Sequence, residues 1–302
     1  MTWVNRLRSG LLDFPVLRRR ASRLHTPTQY GYVNGLYVIV DCWNNRILVN
    51  SSTNSNVGEW RVLAGFHHPH RIVYSGASYF VADTDNHRIV CLSPELSHAN
   101  ALDTSVRFNR PHDLLIHNQT LLVTDSQQCG ARVLSLALEP GYPLIRETHI
   151  AAAYCRSFKL IGSTLYVCDS GGGRVFLLDA RTLETLASYG SREPGATIGS
   201  LDRKQQKQHP TRMVPNEIIR YRERFFLTNY FYRGTRNRLI SFSSLDEWER
   251  GHYVDHSHLV KGVPYFMDVP DDRLFLGEID DCSRCVQIAE EAGELRLMHI
   301  IE

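Results

Sequence analysis

Six residues that could bind a ligand or transfer a proton each follow a proline, or the residue that replaces it, along the chain. They comprise a hydroxyl, two imidazoles, a guanidinium, a carboxamide and a phenol: Thr28, His70, His112, Arg156, Asn216 and Tyr265. Imidazole and phenol groups act as general acids or bases, and a guanidinium binds carboxylate or phosphate. We therefore take His70, His112, Arg156 and Tyr265 as candidate catalytic residues, provided that the fold brings them together.

The elements that carry these residues belong to one repeated pattern. Fourteen residues after each proline position, an apolar segment ends in an acidic residue or, once, an amide: Asp41, Asp83, Asp125, Asp169, Asn229 and Glu278. These residues are 42, 42, 44, 60 and 49 positions apart. A period of this length is typical of repeated small sheets, and no segment between the strands shows a sustained helical period. The pattern predicts six copies of one antiparallel unit.

Each copy predicts four strands, and six copies predict an all-β fold, a six-bladed β-propeller of four-stranded antiparallel blades. In the second copy the strands are expected at 70–75, 78–83, 88–93 and 101–106. We expect the propeller to span 26–302, with a polar insertion at about 195–213 that accounts for the longest spacing. Because the innermost strand of each blade lines the central channel, the six residues after the proline positions are expected to meet there.

The two ends of the chain bear on how the ring closes. The last segment, GELRLMHIIE, gives the sixth blade a fourth strand of its own, so closure is expected to lack an exchange of strands between the termini. Alternatively, part of the N-terminal segment, 1–25, packs against the seam. This segment is basic, with six arginines and one acidic residue. We favour a solvated or docked segment over a contact with nucleic acid or membrane.

The stretch VADTDNHRIV, 81–90, resembles the NHL repeat, in which an apolar strand is followed by Asp, a short turn containing Asn, and Arg-Ile or Arg-Val. The resemblance covers 26–289 and implies a six-bladed propeller. The acid recurs with an arginine in most copies: Asp41 with Arg46, Asp83 with Arg88, Asp125 with Arg132, Asp169 with Arg174, and Glu278 with Arg284. A carboxylate at a strand end can hold turn N–H groups and a forked guanidinium. We interpret these pairs as architecture.

Two related groups of propellers place functional side chains just after the proline. Peptidyl-hydroxyglycine lyases are similar at Pro-His-x-(Leu/Ile), where the His binds zinc, and His70 in HPHRIV and His112 in RPHDLL match this pattern. Gluconolactonase-like enzymes hold calcium with Asn or Asp there, and Asn216 in VPNEII resembles that position. The resemblance implies a divalent metal, zinc or calcium, on His70, His112 and Asn216. A third imidazole for zinc could come from His67, His68 or His209.

Arg156 opposes a metal unless carboxylates compensate its charge, and Asp113, Glu217, Asp83 or Asp125 could do so. A metal-free alternative uses the same residues differently. His70, His112 and Arg156 would form an arc for a carboxylate or phosphate, with Tyr265 or a neutral imidazole as general acid or base. The predicted ligand-binding residues around this arc are Thr28, Arg71, Asp113, Asn216 and Glu217.

In both versions the expected function is a small-molecule site at one mouth of the channel, with lyase or hydrolase activity, metal-assisted or not. The rival hypothesis is a non-catalytic module that binds protein or RNA on the propeller rims. The run NYFYRGTRNR, 229–238, interleaves aromatics with arginines as some RNA-binding surfaces do. A net charge of +2 is far from the basicity expected of a dedicated RNA-binding protein, and we do not favour RNA as a partner.

The seven cysteines and the apolar segments bear on the cellular compartment. The cysteine count is odd, no stretch approaches the length of a membrane helix, and the N-terminal apolar residues are interrupted by charge and Pro15. We expect a cytoplasmic protein with reduced thiols and no transmembrane segment. Cys282 and Cys285 form a CxxC that Cys42 could approach, and a zinc or redox role is the alternative to ordinary thiols.

Overall fold

The computed structural model describes residues 12–13, 23–126, 131–190, 213–229, 237–279 and 282–302. In this part of the chain six antiparallel sheets form a ring, and each sheet takes its four strands from consecutive positions in the sequence. The predicted six-bladed β-propeller is therefore confirmed. Residues 195–212 of the predicted insertion lie outside the described residues.

The first three blades follow the repeat closely. Blade 1 contains β2 (Pro27–Val33), β3 (Leu36–Asp41), β4 (Arg46–Asn50) and β5 (Arg61–Ala64). Blade 2 contains β6 (Pro69–Tyr74), β7 (Tyr79–Asp83), β8 (Arg88–Leu92) and β9 (His98–Ala101), and β1 (Leu12–Asp13) adds a fifth strand at its edge. Blade 3 contains β10 (Pro111–His117), β11 (Thr120–Asp125), β12 (Ala131–Ala137) and β13 (Leu144–Ile150).

The last three blades keep the same order. Blade 4 contains β14 (Cys155–Ile161), β15 (Thr164–Asp169), β16 (Arg174–Asp179) and β17 (Thr185–Gly190). Blade 5 contains β18 (Pro215–Tyr221), β19 (Arg224–Asn229), β20 (Leu239–Phe242) and β21 (Val254–Asp255), with the short helix α1 (Leu245–Glu249) before β21. Blade 6 contains β22 (Val263–Asp268), β23 (Leu274–Ile279), β24 (Arg284–Glu291) and β25 (Glu294–Ile301). Single 3-10 turns occupy Cys42–Asn44, Val57–Glu59, Thr84–Asn86, Ser257–Leu259 and Pro270–Asp272.

The fourth strand of blade 2 was predicted too late in the sequence. It lies at His98–Ala101 rather than at 101–106, because the chain turns early after β8. Leu96 adopts a positive φ of 57°, and its N–H donates to the carbonyl of Ser93. The turn brings Ala99 opposite Leu92.

The hydrophobic core lies between blades rather than at the centre of the ring. Six clusters of buried side chains each combine residues from two neighbouring blades. Both faces of the inner strands are therefore covered, which is why these strands read as nearly continuous apolar runs rather than as strict alternations. The channel-facing residues need not supply this core, and they are free to be polar.

Blade 6 closes onto blade 1 by side-chain packing. The rings of Tyr30 and Phe275 stack with their centroids 4.6 Å apart, and Gln287 Nε2 donates to the Tyr30 hydroxyl at 2.5 Å. The N–H of Thr26 donates to Ser283 Oγ at 3.0 Å, and Leu24 is buried in the same cluster. Within the described residues, closure needs no strand exchanged between the termini. Leu24, near the end of the N-terminal segment, is buried at the seam and so contributes to closure of the ring.

The recurring acid and arginine form a clasp that braces each turn. Asp83 and Arg88 are directly opposite on β7 and β8, and Arg88 Nε donates to Asp83 Oδ2 at 2.7 Å. The same carboxylate accepts from Asn86 Nδ2 and from the His67 N–H, so it ties the turn to the segment that precedes β6. Equivalent arginine–carboxylate bonds occur at Asp41–Arg46, Asp125–Arg132 and Glu278–Arg284. The architectural interpretation holds for these blades.

Blades 4 and 5 brace their turns differently. Asp169 and Arg174 are cross-strand partners, but the Asp169 carboxylate accepts N–H groups from Ala153, Tyr154 and Gly172. Asn229 cannot pair with a cation, and its Nδ2 donates to the carbonyl of Asn237 instead.

In the described part of the chain, no helix has the length and apolar character needed to cross a membrane.

Candidate functional site

A β-bulge carries the candidate residues in each blade. Pro69 pairs with Asp83 and Arg71 pairs with Ala82, so that His70 is an extra residue between two pairs. The same shift of register falls at the other positions after the proline: Thr28, His112, Arg156, Asn216, and Tyr265 together with Phe266. A bulge redirects side chains away from the alternation of the strand. The bulge explains how two consecutive residues of one strand can both contact other blades inside the ring.

The four candidate catalytic residues come together across the ring. The rings of His70 and His112 have centroids 3.9 Å apart. Arg156 Nη1 donates to the Tyr265 hydroxyl at 3.0 Å, and the Tyr265 ring lies 6.1 Å from His70 and 6.5 Å from His112. Blades 2, 3, 4 and 6 thus contribute one side chain each to a single cluster.

Two of the predicted ligand-binding residues, Thr28 and Asn216, occupy the bulges of blades 1 and 5. Thr28 is buried and donates its hydroxyl to the carbonyl of His70 at 2.9 Å, so it supports the backbone of the bulge. Asn216 is fully buried, and among the described residues its side-chain nitrogen and oxygen have no hydrogen-bond partner. A buried amide with both polar atoms unsatisfied is rare in folded proteins, and it indicates a place where a water molecule or a ligand group belongs.

The hydrogen bonds of His70 assign its tautomer. Its Nδ1 lies 2.9 Å from the carbonyl of His68 and 2.9 Å from Thr84 Oγ1. The Thr84 hydroxyl gives its single proton to the carbonyl of Pro111 at 2.7 Å, so toward His70 it can only accept. Nδ1 therefore carries the proton, and Nε2 of His70 carries the lone pair.

His112 shows the complementary arrangement. Its Nδ1 is buried and has no hydrogen-bond partner. The Arg156 backbone also bonds this imidazole, and because Nδ1 has no partner among the described residues, Nε2 is the nitrogen that donates. Nδ1 of His112 then carries the lone pair.

Both imidazoles are neutral at physiological pH. Burial, followed by the charge of Arg156, lowers the pKa of His70 to about 3. Burial, His70 and Arg156 together hold the pKa of His112 well below its usual range. Each ring therefore offers an unprotonated nitrogen, which can accept a hydrogen bond or bind a metal.

A second layer of charged residues follows the first along the same strands. Asp113 Oδ1 lies 3.4 Å from Arg71 Nε, and Glu217 Oε1 lies 3.3 Å from Lys159 Nζ. Arg71 also lies over the ring of Phe266, 5.4 Å from its centroid. Two basic and two acidic side chains thus lie together in a buried network that joins blades 2, 3, 4 and 5.

The carboxylates of this network bind backbone as well as cations. Asp113 accepts the N–H groups of Leu114 and Phe158, and Glu217 accepts that of Met267. Burial raises the pKa of Glu217 to about 7, and burial also raises the pKa of Asp113. These contacts support the channel wall. A role of Arg71, Asp113 and Glu217 in binding ligand remains a prediction.

The metal hypothesis has donors but lacks a complete set. His70 Nε2, His112 Nδ1 and the Asn216 amide oxygen are suitable ligand atoms, and they fit the predicted set in chemistry. In the described residues, no group of three His, Cys, Asp or Glu ligands includes either imidazole. Two of the carboxylates considered as compensation, Asp83 and Asp125, are engaged in the arginine clasps. His209 lies outside the described residues.

Sequence reasoning missed three residues of the site. Thr84 follows the acid of blade 2 and sets the tautomer of His70. Lys159 lies between apolar residues in a strand, and a lysine in that place was the sequence signal that could have identified it. Tyr154 lies under Arg156, with the guanidinium carbon 4.7 Å from its ring centroid. Half-buried Tyr154 and Arg156 form the accessible side of the cluster.

The cysteines do not form a metal cluster within the part of the chain that the structure describes. Cys42 and Cys285 are buried, and burial raises the pKa of both thiols well above the usual range. Cys282 is half-buried, and burial raises its pKa too. These features are typical of unreactive thiols. Cys129 and residues 230–236 of the aromatic and basic run lie outside the described residues.

No protein-family model and no curated protein matches the sequence. Among solved structures, a streptogramin B lyase is similar with a TM-score of 0.61 and 10% identity, over 92% of this chain and 84% of that one. A catalytically inactive virginiamycin B lyase from Staphylococcus aureus with quinupristin has a TM-score of 0.59 and 9% identity, over 95% and 87% of the two chains. A chain of the nidogen/laminin complex has a TM-score of 0.52 and 13% identity, over 73% and 77%.

At these identities the likeness concerns the fold alone. The repeat and its arginine clasps are consistent with the NHL resemblance, and membership of that family remains a prediction. The protein is a six-bladed β-propeller, similar in fold to these structures, in which bulged residues from four blades bring two imidazoles, a guanidinium and a phenol together across the ring.

Proposed function

We propose that the mouth of the central channel binds a small molecule that carries an anionic group beside O–H or N–H donors, and that the protein acts on it as a lyase or hydrolase. One observation carries this proposal. Two neutral imidazoles in contact lie next to an arginine that is hydrogen-bonded to a tyrosine. This combination supplies a cation, two acceptors and a phenol within one cluster.

The preference for an anion follows from the local charge. Arg156 is half-buried against Tyr154, and it lies on the accessible side of the cluster. After burial, the charge of Arg156 is the largest influence that lowers the pKa of His70, and Arg110 acts in the same direction. A site that disfavours a second positive charge favours a negative one, and a guanidinium binds carboxylate or phosphate with two parallel hydrogen bonds.

The preference for O–H or N–H donors follows from the tautomers. The unprotonated nitrogens of His70 and His112 can accept hydrogen bonds, and so can the side-chain oxygen of Asn216. An anion alone would leave these acceptors unmatched. A hydroxyl, amine or amide next to the anionic group would satisfy them, and an unsatisfied buried acceptor costs about 1–3 kcal/mol.

Tyr265 is the residue we assign to proton transfer. Arg156 donates to its oxygen, and this bond stabilises negative charge that develops there when the phenol gives up its proton. An imidazole with a pKa of about 3 is a weak base at neutral pH, so His70 positions the ligand rather than removing its proton. The lyase class is also supported by the similarity in fold to streptogramin B lyase and virginiamycin B lyase.

A metal-assisted version uses the same residues. His70 Nε2, His112 Nδ1 and the Asn216 oxygen would hold a zinc or calcium ion, whose chemistry is to polarise a carbonyl or activate water. The charge of Arg156 opposes such an ion, and for this reason we place the metal-free version first.

Binding to tag-free protein tests the proposal. The parent and the variants Arg156→Met and His70→Gln/His112→Gln would be titrated with inorganic phosphate, citrate and N-acetylglycine by calorimetry. The exposed arginine at position 146 gives a matched control, Arg146→Met. We expect at least one probe to bind the parent and the control, with affinity at least tenfold lower in both site variants. Equal affinity in all four proteins, or no binding to the parent, would contradict the proposal.

Elemental analysis separates the two versions. Protein purified without chelator would be measured by ICP-MS beside His70→Gln/His112→Gln. Near-stoichiometric metal in the parent and none in the variant would support the metal-assisted version. A parent that binds an anionic probe while it carries no metal, or carries the same metal content as His70→Gln/His112→Gln, would support the metal-free one.

A further inference from the structure

A separate cluster of metal-binding side chains lies on the surface segments around blade 2. His67, His68 and Asp85 each have a ligand atom within 4.8 Å of those of the other two. His68 Nδ1 lies 2.5 Å from Asp85 Oδ2. His67 is exposed, whereas His68 and Asp85 are half-buried, so an ion could reach all three from solvent. None of the three belongs to the bulged cluster described above.

The backbone holds the two imidazoles on one side. His68 adopts a left-handed conformation with φ of 48°, and the rings of His67 and His68 stack with centroids 4.7 Å apart. In an extended strand, two consecutive side chains would point to opposite faces. The same turn occurs in blades 1 and 3, where Thr26 and Arg110 have φ of 58° and 66°. The turn is therefore part of the fold, and blade 2 alone places a His pair on it, at His67–His68.

Hydrogen bonds fix the segment independently of any ion. The His67 N–H donates to Asp83 Oδ1, the His68 N–H donates to Asn45 Oδ1, and the Asp85 N–H donates to the carbonyl of His67. The two chain segments that carry the three ligands are thus tied together directly. Because the backbone of both segments is already held, an ion would need only side-chain adjustment, in which it replaces the hydrogen bond between His68 Nδ1 and Asp85 Oδ2.

The Asp85 carboxylate could bind a metal ion through one of its two oxygens. Arg110 Nη2 lies 2.8 Å from Asp85 Oδ1, which leaves Oδ2 on the side of His68. A charged group that orients a ligating carboxylate is a common feature of metal sites.

We propose that His67, His68 and Asp85 form a binding site for a zinc-like divalent transition metal. Two imidazole nitrogens and one carboxylate oxygen suit zinc, whereas calcium and magnesium prefer six or more oxygen ligands or retained water. Three protein ligands leave at least one position open to water or to a ligand. The site borders the channel cluster, because His70 Nδ1 bonds to the carbonyl of His68.

Zinc titration of the tag-free, chelator-treated full chain tests this inference, with zinc affinity measured by competition with a chromogenic chelator. The variants are His67→Gln and Asp85→Asn, and the matched control is His149→Gln, an exposed histidine beside a single carboxylate, Glu147. His112→Gln is a second control that alters only the channel cluster. Thermal melts of all variants would establish that they fold. Because His67 is exposed, we expect His67→Gln to keep the fold.

We expect one zinc ion per chain in the parent and in both controls. In His67→Gln and Asp85→Asn we expect the affinity to fall by about a hundredfold, since even the loss of an outer partner of a ligand costs about 10–100-fold. Two results would overturn the inference. One is a parent that binds no zinc at about 100 µM free metal. The other is zinc binding that survives both variants but is lost in His112→Gln, which would place the ion in the channel.

Discussion

The imidazole rings of His70 and His112 lie 3.9 Å apart, centroid to centroid, although the residues are 42 positions apart and belong to different blades. Two charged imidazoles would repel each other at this distance, and burial together with the charge of Arg156 keeps both rings neutral. The relationship follows from the fold: each residue is the extra residue of a bulge at the same place in its blade.

The His pair should make the protein sensitive to acid. Burial and Arg156 lower the pKa of His70 from 6.5 to about 3, and the pKa of His112 is lowered too. Between these pH values the unfolded chain binds protons that the folded chain does not. The free energy of unfolding should therefore fall as pH falls from 6.5, by up to about 1.4 kcal/mol per pH unit for each His.

Urea unfolding between pH 4 and pH 7 would measure this slope in the parent and in His70→Gln/His112→Gln. The double variant should have the shallower dependence, while the exposed control His149→Gln should match the parent. Identical slopes in all three proteins would show that the pair does not titrate as described.

Glu217 should act in the opposite direction. Burial raises its pKa from 4.5 to about 7, so the folded chain keeps a proton that the unfolded chain releases in this range. Its contribution to the free energy of unfolding is present below pH 4.5 and is lost as pH rises to 7, by up to about 1.4 kcal/mol per pH unit.

Glu217→Gln removes this contribution while keeping the shape of the side chain. The variant should gain stability relative to the parent as pH rises from 4.5 to 7, as followed by urea unfolding. Glu223→Gln on the neighbouring turn, where the Glu223 side chain is 94% exposed, is the control and should show no such trend. A stability difference for Glu217→Gln that stays constant with pH would contradict the assignment.

Thr84 should both join two blades and hold the tautomer of His70. Its hydroxyl donates to the carbonyl of Pro111 on blade 3 and accepts from His70 Nδ1. Thr84→Val removes both bonds, and leaving the buried carbonyl unsatisfied should cost about 1–3 kcal/mol of unfolding free energy. Nitrogen-15 NMR of the imidazole should show a change in the His70 tautomer populations.

Ser170→Ala is the matched control for this prediction. Ser170 makes the equivalent bond between blades 4 and 5, to the carbonyl of Pro215 at 2.7 Å, and contacts no imidazole. It should lose similar stability without altering the imidazole spectrum. An unchanged His70 spectrum in Thr84→Val would mean that the carbonyl of His68 alone sets the tautomer.

Gly277 should be essential to ring closure. It lies on β23 at the seam, and a Cβ there would fall inside contact distance of the carbonyl oxygen of Pro27 on blade 1. The contacting atom on blade 1 is backbone, which cannot turn aside as a flexible side chain can. Gly277→Ala should therefore push the two blades apart and lower the unfolding free energy by about 1–3 kcal/mol, the usual cost of overpacking.

Thermal and urea unfolding would measure the effect against Gly58→Ala. A Cβ at Gly58 would meet only the side-chain oxygen of Asn56, at 3.1 Å, and that side chain can move. Stability of Gly277→Ala equal to that of Gly58→Ala would show that the seam tolerates the methyl group.

The architecture of the protein could be predicted from the spacing of residues along the chain. The spacing of the proline and acid positions predicted six four-stranded blades, and the acid–arginine pairs predicted the clasps, because both depend on residues close together in one hairpin. The sequence also predicted that His70, His112, Arg156 and Tyr265 would meet, since equivalent positions of a closed repeat lie on one ring. The same reasoning placed the fourth strand of blade 2 too late, because the turn at Leu96 leaves only a weak sequence signal.

The orientation of those side chains and the availability of their atoms could not be predicted in this way. A bulge is a relation between two strands, so the pattern of one strand does not reveal that His70 is its extra residue. The tautomer of His70 depends on Thr84 and on a carbonyl of another blade. Lys159 faces the carboxylate of Glu217 on the next blade, and His67, His68 and Asp85 meet through a turn. These arrangements depend on contacts between segments that are distant in sequence, and their register and burial exist only once the ring has closed.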